Sequence, residues 1–363
     1  MHVKMQDPAR ILSCERVALS PELAARTEIL PAVADVWWER GLQTVGLGGL
    51  ARRSRSLRGA WALFRQASRF AIVVTLGDLE GLAFACLQRL WARRRPVHVM
   101  YDCLWYGGGS LKRAWMRFCL CAVDRCIVWA SVERQRYAQA YGVSPEKFLY
   151  VPHHHTLKRY TFEVGDEGYI FTGGNADRDY GLFFSAVADL SVPCVLATNR
   201  PQLLAGLVVP SNVRVVSVSP AEFRQLMAQA RLVVMPMRAT LLHAGAQQTI
   251  LNAMVMGKPV ILTDPEGGAD YIKNGKTGVL VPYGDVAGLR EAIRYLWEHL
   301  EEARAMGEQA QCAATPLTTE RCNVAMWQHA LQLLGKMQAG GGSAAGGRGA
   351  EAHGSGADFR SQV

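Results

Sequence analysis

From about residue 70 onward, short runs of β-branched and other apolar residues alternate with longer stretches whose apolar positions recur at helical spacing. The runs at 71–76, 97–102, 125–130 and 148–151 predict strands, and the stretches 81–93, 110–122 and 132–141 predict helices. The strands are near-continuous apolar runs, as expected of a parallel sheet covered on both faces. Residues 153–166 break the rhythm with three His, charges and Gly, and read as a linker. The alternation then restarts, with strands at 169–172, 193–197, 213–218, 232–235, 260–263 and 279–281. Helices fall at 180–190, 220–230, 245–256 and 285–308. Before residue 70 the pattern is weaker: 11–19 and 43–47 suggest strands and 57–67 a basic helix. Two βα series divided by a linker imply an α/β architecture of two doubly wound, Rossmann-like domains, 1–152 and 167–315, facing across a cleft. A final helix at 316–336 and a Gly/Ala/Ser-rich tail at 337–363, expected to be disordered, complete the chain.

Composition sharpens this picture. A length of 363 residues favours two cores, and a hydrophobic fraction of 50% argues against a mostly disordered protein. The nine cysteines include no CxxC pair, so they read as reduced thiols rather than a zinc or redox motif. No apolar run reaches the ~18 residues that span a bilayer, and the first residues lack the apolar core of a signal peptide. The expected location is the cytoplasm, with peripheral attachment to the inner membrane face.

Charge is unevenly placed. Residues 1–160 hold 24 Lys+Arg against 12 Asp+Glu, whereas residues 161–363 hold 16 against 19. The run Arg52, Arg53, Arg55, Arg58, Arg65 and Arg69 is interleaved with Leu57, Trp61, Leu63 and Phe64. That composition suits an interfacial helix facing an anionic membrane, and equally a solvated outer helix. No motif that reads RNA or DNA accompanies it, so nucleic acid is not an expected partner.

The chemistry concentrates between Met235 and Pro282, where strand, loop, helix, strand, loop, short helix and strand follow one another. The loop ends at Ala244-Gly245 and the helix opens with Gln247, Gln248 and Thr249. A glycine there permits close backbone approach, and the free amides of a first helical turn favour a diphosphate. Asn252 lies seven residues past Gly245, about 10 Å along the axis, which suits a ribose hydroxyl. A second candidate opens the later domain: Gly173-Gly174 ends a strand, and Arg178 follows as a bidentate clamp for a phosphate.

These segments resemble the signature of the glycosyltransferase group 1 family, family 4 of the retaining GT-B transferases. The likeness rests on Pro236, Ala244-Gly245, Asn252-Ala253-Met254 and Gly257-Lys258-Pro259-Val260-Ile261. It continues through Gly267, Asp270, Gly275, Gly278, Leu280, Val281 and Asp285. It is good from about 124 to 310, thin over 70–123 and absent before 70. The family's two glutamates, eight positions apart, are Ala244 and Asn252 here, and Gly174 stands where the family has an Arg.

The resemblance implies a nucleotide-sugar donor, UDP- or GDP-linked, as a substrate rather than a cofactor, and metal-independent transfer with retention. Donor contacts then fall on Gly173, Gly174, Arg178, Val218, His243, Ala244, Gly245, Gln247, Gln248, Thr249, Asn252 and Lys258, with backbone near Val218 reading the base. Catalytic candidates are Arg178, for leaving-group charge, and Asp102, which ends a first-domain strand and would orient the acceptor or act as a base. Each has a plainer reading: an ordinary helix start at 245–252, a surface ion pair for Arg178, a turn residue at Asp102. Three consecutive histidines, His153 to His155, point to alternating sides of an extended chain and do not form a metal site. The expected function is sugar transfer to a saccharide or lipid-linked acceptor, in cell-surface polysaccharide or glycolipid synthesis. A nucleotide-sugar epimerase of the same fold and a non-catalytic GT-B partner subunit are the alternatives.

Overall fold

The computed structural model describes residues 11–13, 27–29, 48–92, 95–239 and 242–341. Two six-stranded parallel sheets account for the strands among them. The first contains β1 (Ile11–Ser13), β2 (Thr27–Ile29), β3 (Ile72–Leu76), β4 (Val97–Tyr101), β5 (Arg125–Val128) and β6 (Phe148–Tyr150) in the order β2-β1-β3-β4-β5-β6. Its helices are α1 (Gly48–Ala67), α2 (Leu79–Trp91), α3 (Ser110–Leu120) and α4 (Glu133–Tyr141). β2 has no counterpart in the sequence reading, β1 falls at the start of the expected 11–19, whose remainder lies outside the described residues, and so does the strand expected at 43–47.

The second sheet holds β7 (Ile170–Gly173), β8 (Cys194–Ala197), β9 (Val213–Val216), β10 (Leu232–Met235), β11 (Val260–Leu262) and β12 (Val279–Leu280), ordered β12-β11-β10-β7-β8-β9. The chain order reverses between β7 and β10, so the crevice beyond their carboxyl ends is the topological switch point where such folds take ligands. Helices α5 (Tyr180–Val187), α6 (Pro220–Gln229), α7 (Gln247–Val255), α8 (Pro265–Gly268), α9 (Val286–Glu298) and α10 (Leu300–Ala314) belong to this half.

Strand side chains divide between two cores. Ile170, Leu232 and Val234 pack on the α5–α9 side, and Phe171, Val233 and Met235 on the α7 side. An apolar run is required at every position because both faces are covered. The stretch 285–308 forms two helices rather than one, broken at His299 (φ −105°, ψ 70°), whose ring stacks on Tyr295 with centroids 4.2 Å apart. The break redirects the chain from the α9 core towards α7, where Ala310 and Ala314 are buried.

The last helix, α11 (Thr319–Gly341), extends past the expected end at 336, so residues 337–341 are helical rather than part of a tail. Residues 342–363 lie outside the described residues. Met326, Trp327 and Ala330 of α11 pack on Ile72, Val74, Val99 and Ile127, so this helix crosses back to cover the first sheet. Of the eight cysteines described, five are buried and none is paired. No helix among the described residues is long and apolar enough to cross a membrane.

Candidate functional site

The β7–α5 turn is built around Arg178. Its side chain is 6% exposed, with Nε donating to the Gly173 carbonyl and Nη1 to that of Ala176, each at 3.0 Å. Gly174 has φ +130°, and a Cβ there would sit 2.9 Å from Arg178 Nη2, so the guanidinium needs a glycine above it. Asp177 holds a left-handed backbone (φ 60°), the kind of strained position that clusters at functional sites. Asp179 caps α5 by accepting from the Leu182 N–H at 3.0 Å, and its own N–H donates to the Pro236 carbonyl at 2.8 Å.

The loop after β10 meets this turn. Arg178 Nη1 lies 3.2 Å from Met237 Sδ, and a Cβ on Gly245 would collide with the Met237 methyl. The residue-178 turn and the residue-245 loop are thus adjacent. His243 Nε2 is 3.1 Å from Asp177 Oδ2, so Nε2 carries the hydrogen, while Nδ1 is buried without a partner. The hydrogen bond from His243 is the main reason the Asp177 carboxyl is held below the usual carboxylate range, and Tyr106 contributes. Helix α7 starts at Gln247 after Ala246 (φ 71°), and no side chain caps it. Gln247 Nε2 is buried without a partner.

Between these elements and the linker lies a cavity of about 390 Å³. Five of the residues named from sequence line it: Gly174, Val218, Gln248, Thr249 and Asn252. Asn252 Oδ1 accepts from the Thr156 N–H at 2.9 Å and so ties the linker to α7. The wall also includes Asn175, Asn199, Tyr160 and Arg224, none foreseen from sequence. The Arg224 guanidinium lies over the Tyr160 ring, 3.6 Å from its centroid. No spacing rule links residue 160 to 224; only the fold brings them together.

Gly173, Arg178, His243, Ala244, Gly245 and Gln247 do not line the cavity. Two expectations need correction. Lys258 sits at the N-terminal edge of β11, away from the cavity, with its ammonium on the Gly165 carbonyl and its pKa lowered by burial to about 8. The Val218 backbone is already occupied: Asn199 accepts from its N–H and donates to its carbonyl, both at 3.1 Å. A base reading that backbone has to displace the Asn199 carboxamide.

Contacts from the first domain reach the same loops. Tyr106 donates to Asp177 Oδ2 at 3.1 Å and packs edge-on against His243. Glu133, 1% exposed, accepts from the Ala244 N–H at 2.8 Å and from the Trp129 and Ala130 N–H groups at 2.9 and 3.0 Å. A carboxylate therefore does reach position 244, but from the other domain. Asp102 (φ 54°) accepts from Trp129 Nε1 at 3.0 Å and does not line the cavity. Each linker histidine has a partner outside the run: the His153 ring packs on Trp129, His154 Nδ1 is 3.0 Å from Thr319 Oγ1, and the His155 N–H donates to Leu317.

Two parallel doubly wound sheets facing each other, with a cavity at the switch point of the second, define the GT-B fold. The solved structures agree. Sucrose-phosphate synthase from Thermosynechococcus elongatus superposes with a TM-score of 0.63 at 17% identity, over 86% of this chain and 84% of that one. Anabaena HepE in complex with UDP and glucose gives 0.62 at 15% identity, over 89% and 99%. Residues 183–299 match the family model described as Glycosyl transferases group 1. Among curated proteins, the D-rhamnosyltransferase WbpZ of Pseudomonas aeruginosa is 38% identical over 72 residues, 20% of this chain and 19% of that protein. The putative glycosyltransferase EpsD of Bacillus subtilis is 28% identical over 83 residues, 23% and 22%. The chain thus spans about a fifth of the length of these curated relatives.

Proposed function

We propose that this protein is a glycosyltransferase that moves a sugar from a nucleoside-diphosphate donor to a saccharide or lipid-linked acceptor, in cell-surface polysaccharide or glycolipid synthesis. One observation carries the reading: the Gly174 turn and the uncapped first turn of α7 open onto one cavity at the switch point of the second sheet. Unpaired helix amides and an adjacent guanidinium are the groups a diphosphate needs.

In this reading the diphosphate rests on the first turn of α7, with Arg178 beneath the Gly174 turn and Arg224 on the cavity wall. An acceptor hydroxyl attacks the anomeric carbon, a new C–O bond forms, and the bond to the diphosphate oxygen breaks. The hydroxyl proton passes to a base or to water. Charge on the departing diphosphate is met by fixed dipoles and cations. The reading includes retention at the anomeric carbon and no need for a metal ion. The anomeric configuration of the product checks the first, and activity under chelation the second. The outer side of α1, with Leu57 and Trp61 each 53% exposed among arginines, faces an anionic membrane.

A melting screen against UDP, GDP and their sugars tests the core of the proposal. Ligand at a hundredfold excess over Kd adds about 2.7 kcal/mol, a shift of several degrees for a chain of this size. If no nucleoside diphosphate raises the melting temperature, the transferase reading fails. Sugar conversion in the absence of acceptor would reassign the protein as an epimerase.

A further inference from the structure

Part of the wall of the switch-point cavity is covered by a side chain. Asn199 and Val218 both line the cavity. The Asn199 carboxamide lies along the Val218 backbone: Oδ1 accepts from the Val218 N–H and Nδ2 donates to the Val218 carbonyl, both at 3.1 Å. A third bond makes the pattern asymmetric, because Ser217 Oγ also donates to Oδ1, at 2.8 Å. The Val218 pair fixes which way the carboxamide faces, so its oxygen takes two donors and its nitrogen serves one acceptor.

This cover is replaceable. Asn199 is exposed, and its main chain is anchored separately from its side chain. Its N–H donates to Asn175 Oδ1 at 2.8 Å, and the same oxygen accepts from Thr198 Oγ1 at 3.0 Å. Rotation about the Asn199 Cα–Cβ bond therefore frees the Ser217–Val218 edge without moving the loop that follows β8. Neutral hydrogen bonds at an exposed site contribute little net, so a better-held partner takes the edge from them.

The chemistry of that edge defines the partner. It offers two donors, Ser217 Oγ–H and Val218 N–H, that converge on one oxygen, and one acceptor beside them. A carbonyl oxygen has two lone pairs and takes both donors, whereas a ring nitrogen has one and takes a single donor. A lactam base, uracil or guanine, carries such an oxygen next to a ring N–H, the same arrangement as the carboxamide. Cytosine and adenine carry a ring nitrogen next to an amino group. They can serve the Val218 pair, but they leave the Ser217 hydroxyl without its bond.

Resting on the transferase reading, we propose that Asn199 is an internal mimic of the donor's base, holding the Ser217–Val218 edge until a lactam base displaces it. Asn199 thus sets the apparent donor affinity through the fraction of chains whose edge is open. Ser217 Oγ supplies the selectivity for uracil or guanine over cytosine and adenine.

The test is calorimetry on the full chain. The probe is UDP or GDP, whichever binds more tightly, with CDP or ADP as the counterpart of the same ring size. Asn199→Ala should bind the probe about three- to tenfold more tightly than the wild-type chain, because the competitor is gone. Adding Ser217→Ala to Asn199→Ala should weaken the probe about three- to tenfold and leave CDP or ADP unchanged, so the lactam preference shrinks by that factor. A merely structural Asn199 would instead lower the melting temperature and weaken every nucleotide alike. Unchanged or weaker probe binding in Asn199→Ala overturns the proposal, and so does a Ser217→Ala loss as large for CDP or ADP as for the probe. In either case, nucleotide binding by the wild-type chain leaves the transferase reading standing. If neither the wild-type chain nor Asn199→Ala binds any of the four nucleoside diphosphates, that reading fails and this proposal with it.

Discussion

Arg178 illustrates how one side chain serves structure and chemistry together. Its guanidinium satisfies the Gly173 and Ala176 carbonyls, so Arg178→Ala should cost about 1–3 kcal/mol of stability. If the same cation meets charge on the departing diphosphate, transfer should also fall on the order of 10²-fold. Turnover that stays normal at saturating donor, in a variant that melts earlier, confines Arg178 to shaping the turn. Glu133 is a second case. Burial pushes its carboxyl from the ordinary 4.5 up to about 7, against the backbone N–H groups of residues 244, 130 and 129, which favour the charged form. A raised folded-state pKa means that the folded chain binds more protons than the unfolded chain between about pH 4.5 and 7. The associated stability is therefore full below 4.5 and lost as the pH rises through 7. Glu80, raised to about 7 by burial and then by Asp78, shares this window. Urea midpoints should fall across it, and Glu133→Gln should flatten part of the fall; an identical profile in the variant would rule out the raised carboxyl. The residue types at the cavity's loops were readable because glycine, glutamine and asparagine at a helix start have local meaning. Glu133, Asn199 and Arg224 were not readable, because their partners lie 19 to 111 positions away.

At the scale of elements, continuous apolar runs located the strands well, since a strand covered on both faces leaves a local trace. β2 left little trace: its three residues, Thr27–Ile29, include a glutamate. The break at His299 was missed for another reason. No Pro or Gly marks it, and the turn follows from α9 and α10 packing against different neighbours. The last helix shows the largest tertiary effect. Its periodicity announces a helix but does not say which sheet it covers. Trp327 is fully buried on the first sheet although it follows the second in sequence. Trp327→Ala should cost about 3–5 kcal/mol, measured as a lower urea midpoint, because a large side chain leaves a cavity. A cost under 1 kcal/mol would mean that α11 is not anchored there.

For the molecule as a whole, charge and shape act together. The basic excess belongs to residues 1–160, and the exposed Leu57 and Trp61 of α1 lie within it. Leu57→Glu/Trp61→Glu should therefore lower sedimentation with phosphatidylglycerol vesicles several-fold, more so at low salt, where unscreened charge reaches further. Binding that is indifferent to both substitutions would remove α1 as the membrane face. The two halves are held by bonds that no local pattern announces. Tyr271 donates to the Trp129 carbonyl and accepts from the His153 N–H, and Arg136 pairs with Glu266 at 2.6 Å. The sequence by itself determined the two βα series, the linker between them and the loops at residues 173–178 and 244–252, because periodicity and helix starts are set by neighbouring residues. The tertiary structure alone decided that Lys258 faces away from the cavity, that a first-domain carboxylate reaches Ala244, and that the Asn199 carboxamide lies on the Val218 backbone. Those facts depend on which distant segments the packed sheets bring into contact.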